Sequence, residues 1–173
     1  MKGKNGGKIM EKQVNGKLRV KSSTNYIIEV NDEGETIEFD LADIGLQAKF
    51  IECFDKVETL TQEFAPKEKE CIEKILKERE GMTEEEQVLY TETEKEYIAL
   101  QQQYYKDCRD SVDIFVGKGG CDKIFGTSNY PTMFFDLFEQ LEPHFKKMGL
   151  SNKKMQEKLY QKYIGKKGKK TIK

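Results

Sequence analysis

The chain has 173 residues, enough for one domain with extended ends, and divides almost evenly between apolar residues (36%) and charged ones (35%). With so much charge, a core can outweigh chain entropy only if the apolar positions are concentrated on particular faces, which predicts elongated helices with solvated outer sides. No apolar run approaches the roughly 18 residues of a membrane span, and the start MKGKNGGKIM lacks the apolar stretch of a secretory signal, so a cytoplasmic protein without a membrane partner is expected.

A formal charge of -1 conceals a division along the chain: residues 1–28 carry +6, residues 29–100 carry -14 and residues 101–173 carry +7. Such a dipolar chain is expected to associate with copies of itself, the acidic middle of one meeting the basic ends of another. Cys53, Cys71, Cys108 and Cys121 are widely spaced with no CxxC pair, so neither zinc nor a disulfide framework is signalled. The first three are expected to be reduced core thiols.

In chain order, residues 1–10 are Gly/Lys-rich and predicted to be disordered. A single domain is expected over 11–165, with β-hairpins in 11–41 and helices in 43–165. Asn15-Gly16 favours a tight hairpin turn in KQVNGKLRV. In the second hairpin Tyr26, Ile28 and Val30 alternate on one strand and Ile37, Phe39 and Leu41 on the other, with Gly34 at the turn. From Asp43, a possible N-cap, the period changes to about 3.6. Leu46, Phe50, Cys53, Phe54, Val57 and Leu60 mark one helix, and Pro66 is placed to open a second that Gly81 ends.

Thr83 and Glu86 form a capping-box signature for a third helix running to Phe115, about 50 Å long at about 1.5 Å per residue. Its tyrosines, Tyr90, Tyr97 and Tyr104, read as packing for an antiparallel helical hairpin rather than as base-stacking groups. After a glycine-rich turn, Phe134, Leu137, Phe138, Leu141, Phe145 and Met148 mark an aromatic helix opened by Pro131 and stopped by Gly149, with a kink or break at Pro143. Ser151 can cap a last helix with Met155, Leu159, Tyr163 and Ile164 on one face. Residues 166–173 read as a basic disordered tail. The fold class is therefore mainly α with a small N-terminal antiparallel β-hairpin element, an elongated helical hairpin and C-terminal helices.

The turn FVGKGGCDKIFG, residues 115–126, is the stretch most like a chemical site. It lacks the GxxxxGK[ST] order that lets amides cradle phosphate and a hydroxyl reach magnesium, and no βαβ unit surrounds it. Cys121 sits near Lys118 and Lys123, which would lower a thiol pKa, but the chain's one histidine, His144, lies in the aromatic helix as a surface or half-buried residue. The reading is a helix stop at Gly117, a reversal at Gly119-Gly120, and Ile124 and Phe125 folding back on the core. No enzyme, cofactor or metal is expected.

YIIEVNDEGETIEFDL, IGLQAKFIECFDKVETL and DSVDIFVGKGGCDKIFGTSNYPTMFFDLFEQLEPHF, taken in this order over residues 26–148, resemble the tail assembly chaperones of phages with long non-contractile tails and their prophages in Gram-positive hosts. That resemblance implies a protein that coats the tape-measure protein and delivers tail-tube subunits. Tyr130, Phe134, Phe135, Phe138 and Phe145 are the partner-binding candidates. The alternatives are a structural or scaffolding protein of a phage particle or other large assembly, and, as a poorer fit, a nucleic-acid binder using Lys166, Lys167, Lys169 and Lys170.

Overall fold

The period-two segment forms the strands it predicts. The computed structural model of the chain describes residues 25–150 and, beyond them, Lys153, Gln156 and Glu157, which are helical. The hairpin expected at 11–21, the terminal segments 1–10 and 166–173 and most of the helix expected after Ser151 lie outside the described residues. Strands β1 (Asn25–Glu29) and β2 (Thr36–Asp40) pair antiparallel, with Tyr26 opposite Phe39 and Ile28 opposite Ile37. Their turn needs Gly34, whose φ of 77° is left-handed, and Asn31 closes it by accepting the Glu35 N–H at 3.0 Å. Ile37 and Phe39 are buried, whereas Ile27 on the other face is exposed.

Helix α1 (Leu46–Glu80) is one helix of 35 residues, where the sequence predicts a break at Pro66. An interior proline forfeits a hydrogen bond and costs about 3 kcal/mol relative to alanine. Here the turns on both sides are tied to the helix that follows: Phe64 stacks on Tyr104 at 4.2 Å, and beyond the proline Glu68 accepts the Tyr97 hydroxyl at 2.9 Å. The Pro66 ring itself faces solvent. Gly45, not Asp43, is the N-cap; Asp43 acts one step earlier, its Oδ1 accepting the Gly45 N–H at 2.7 Å and its carbonyl the Leu46 N–H at 3.0 Å. Gly81 ends the helix as expected.

The Thr83–Glu86 box does form, the Thr83 N–H reaching Glu86 at 2.9 Å, but it opens only the 3₁₀ turn Glu86–Val88. The helix proper, α2 (Glu92–Val116), starts from a second box in which Thr91 and Glu94 bond reciprocally at 3.1 and 2.8 Å. α2 is therefore 25 residues long, and Tyr90 lies outside it. It returns antiparallel along α1: Arg79 meets Glu94, Glu68 meets Tyr97, Phe64 meets Tyr104 and Phe50 meets Phe115.

After α2 come the short α3 (Gly120–Phe125), which the sequence reading takes for a plain reversal, and α4 (Met133–Met148). α4 continues through Pro143 without the expected break, since the ring is exposed and Leu141 and Phe145 pin the flanking turns in the core. It ends in a Schellman arrangement: left-handed Gly149 donates to Lys146, and Leu150 donates to Phe145 at 2.9 Å. α4 packs with Phe134 beside Tyr105, Phe138 against Phe54, and Phe145 against Phe50 and Phe115. The core thus lies at one end of the hairpin, over the first half of α1 and the second half of α2. Beyond Phe64 and Tyr104 no described residue of either helix is buried, so the two helices continue as an arm.

Candidate functional site

Four places on this frame carry chemistry or exposed surface, and the glycine turn is the first. Gly117 stops α2 with a φ of 92°, and Gly119, at 76°, caps α3 in the left-handed region. The amides that a phosphate would occupy already have an anion. Asp113, one turn back in α2, accepts the Gly119 N–H at 2.7 Å with one carboxylate oxygen and the Cys121 N–H at 2.9 Å with the other. Gly120 has no room for a side chain, because a Cβ there would lie 2.4 Å from Val116 Cγ2.

Cys121 is buried, and that burial, aided by the Asp113 charge, pushes its thiol well above the ordinary range despite Arg109 nearby. The lowering expected from Lys118 and Lys123 is overridden. Cys53 and Cys108 are also buried, each pushed up to about 12 by desolvation. Cys71 departs from its expected place in the core and is only half-buried on the arm. His144 is half-buried, and its Nδ1 shares a hydrogen bond of 2.9 Å with the Tyr26 hydroxyl, joining β1 to α4. Among the described residues no group of three His, Cys, Asp or Glu side chains is placed to hold a metal ion, and no helix is long and apolar enough to cross a membrane.

The second place is the corner between α3 and α4, where Arg109 acts as a clamp. Its Nε donates to Asn129 at 3.0 Å, Nη1 to Asp122 and the Gly126 carbonyl, both at 3.0 Å, and Nη2 to the Ser128 carbonyl at 2.6 Å. The guanidinium also lies 5.9 Å from the Phe125 ring centroid, a cation–π distance. One planar fork so ties Asp122 of α3 to Gly126, Ser128 and Asn129 of the loop, and next to them Tyr130, 41% exposed, meets Phe125 edge-on.

This corner separates the five aromatic candidates. Phe134, Phe138 and Phe145 are core residues, at most 2% exposed, and offer no surface to a partner in this fold. Phe135 is half-buried and Tyr130 exposed. Choosing the aromatics of one segment groups all five together, because core and interface both call for apolar residues. The Arg109 clamp was missed, since its partners lie 13 to 20 positions away in the sequence. Only a lone arginine on an otherwise buried helix side, between Cys108 and Val112, hinted at it.

The third place is the end of the arm. Ile72, Leu76, Tyr90 and Ile98 are 38 to 67% exposed and, with Tyr97, line a groove of about 370 Å³ between the helices. Arg79 closes the distal end, its Nε donating to Glu94 at 2.8 Å and Nη1 to the Gln87 carbonyl at 2.7 Å. The Thr91 N–H, then Arg79, hold the Glu94 carboxyl below the usual carboxylate range. A fourth place, nearer the base, is a shallow acidic groove of about 620 Å³ in which Glu52, Asp55, Glu63, Asp107 and Asp110 outnumber Lys56. Compared with known proteins, the chain matches no family model, no curated protein and no solved structure.

Proposed function

We propose that the chain is a non-enzymatic tail assembly chaperone that binds the tape-measure protein, tail-tube subunits or both in the host cytoplasm. The observation that carries this reading is the Arg109-clamped corner, which presents Tyr130 to solvent against Phe125, with half-buried Phe135 five residues further on in α4. Aromatic side chains ordered before contact lose little entropy on binding and serve as anchors for apolar client segments. The stretches carrying the resemblance support it further, since they fold together as the hairpin, α1 and the α2–α4 turn.

Co-expression with the tape-measure and tail-tube proteins of a phage with a long non-contractile tail, followed by pull-down, tests the reading. Tyr130→Ala combined with Phe135→Ala should reduce capture by about tenfold, the loss of one interface anchor, with the helical circular dichroism signal unchanged. Undiminished capture removes the corner from the reading, and no capture by the wild-type chain removes the reading itself. The charge division along the chain favours a second reading, a structural or scaffolding component that assembles with its own copies. Purified tails separate the two, because a chaperone is absent from the finished particle and a component remains.

A further inference from the structure

The arm ends in a surface that the fold itself does not use. Ile72, Leu76, Tyr90 and Ile98 line its groove, and Leu89, 72% exposed, extends the apolar area along the connection. Residues 72–98, which span them, carry nine glutamates against Lys74, Lys77, Arg79 and Lys95, of which Lys74, Arg79 and Lys95 are already paired with Glu70, Glu94 and Glu92. An apolar groove with an acidic rim fits an amphipathic segment with basic flanks.

Residues 151–173 of this chain have that chemistry: nine lysines against one glutamate, with Met155, Leu159 and Tyr163 at the four-residue spacing that aligns side chains along one side of a helix. Continued as a helix from Lys153, Gln156 and Glu157, they cannot reach the chain's own arm. α4 runs from Phe134 beside Tyr105 to Phe145 beside Phe50, so the chain leaves it heading away from the arm. Leu150 is then bonded back onto Phe145. From Phe50 to Leu76 along α1 is about 39 Å at 1.5 Å per residue. Met155 lies at most about 18 Å beyond Leu150 even when fully extended, and a helical segment carries Tyr163 only about 20 Å.

We propose that the groove at the end of the arm receives the basic segment 151–165 of a second copy, so that copies join by exchanging their C-terminal segments. The apolar stripe of the segment fills the groove and its lysines lie along the glutamate rim. Association is therefore strongest at low salt and keeps an apolar remainder when the rim is screened. The inference goes beyond the chaperone reading and stands without it.

The test uses the purified full-length chain with no client present. Sedimentation velocity should show a concentration-dependent assembly that weakens as salt rises. Leu76→Asp, at a position already 60% exposed, and Leu159→Asp should each weaken it by about tenfold or more with the circular dichroism spectrum retained. In a mixture of light and isotopically heavy copies, a photo-crosslinker at position 76 should join peptides spanning 151–165 of the other isotope. A monomer at every concentration and salt overturns the proposal. So do crosslinks confined to one copy, crosslinks from arm to arm, or Leu159→Asp assembling like the wild type. Loss of client capture by the Tyr130 and Phe135 substitutions leaves these readouts unmoved, so failure of one reading is not mistaken for failure of the other.

Discussion

Replacing Gly120 by alanine tests how tightly the turn after α2 is built. A Cβ at that position would lie 2.4 Å from Val116 Cγ2 and 3.1 Å from Val116 Cβ, distances at which something must move. Val116 is only 5% exposed, and as a β-branched residue in the last turn of α2 it has one strongly preferred rotamer, so it yields poorly. Overpacking of this kind costs about 1–3 kcal/mol. Against it stands up to about 1 kcal/mol from alanine's better helix propensity and the smaller entropy of the unfolded chain. The net expectation is a loss of about 1–2 kcal/mol, read as a fall of about 0.5–1 M in the urea midpoint at unchanged slope. A double-mutant cycle isolates the cause. In a Val116→Ala background the same glycine substitution should cost little or stabilise, giving a coupling of at least about 1 kcal/mol. Equal stability of Gly120→Ala and wild type, or the same cost in both backgrounds, refutes the reasoning.

Arg109→Ala should cost about 2 kcal/mol, since it removes four fixed hydrogen bonds at once, and Arg109→Lys should recover only part because an ammonium cannot reproduce the fork; denaturant titration reads both. Asp113→Ala should destabilise by about 1–3 kcal/mol by leaving the Gly119 and Cys121 amides without their acceptor, and added phosphate should not restore the loss. Of the four thiols, Cys71 should react with a disulfide reagent in the native state while Cys53, Cys108 and Cys121 wait for unfolding; stopped-flow labelling with and without denaturant counts them. Tyr97 and Tyr104 are pushed up to about 12, first by burial, so the stability they favour is present below about pH 10 and is lost as pH rises from there through about 12. Asp43 is held low first by the Lys49 side chain and Glu94 first by the Thr91 N–H, so their contributions hold above the usual carboxylate range and are lost only as pH falls below it. Stability measured across both limbs checks the signs.

The elements that local rules specify were legible from the residues. Alternation at Ile37 and Phe39 gave the strand and its buried face, and Gly34, Gly81, Gly117 and Gly149 marked the stops where they fall. What was misread depends on partners distant in sequence. Pro66 carries the same local penalty wherever it sits, and the contacts that hold α1 through it, the Phe64–Tyr104 stack on one side and the Glu68–Tyr97 hydrogen bond on the other, are both made to α2. Thr83–Glu86 and Thr91–Glu94 are the same motif eight residues apart. Arg79, reaching both Glu94 and the Gln87 carbonyl, favours the second as the start of the helix. The candidate surface was legible only in part: the period marked Phe134, Leu137, Phe138, Leu141 and Phe145, which form the buried face of α4, and left out Phe135, but taking the aromatics of the segment together mixed that core with the surface.

The ending of the buried side chains at Phe64 and Tyr104 gives the molecule two clocks. Amides at the base, beneath Phe50, Phe115 and Phe145, should exchange their hydrogens only when the whole body opens. Those of the arm beyond Pro66, where no described side chain of either helix is buried, should exchange by local opening and closing. The distal turns can thus melt and re-form many times within the lifetime of the folded base. A surface carried there can fit itself to an uneven partner without the protein ever coming undone.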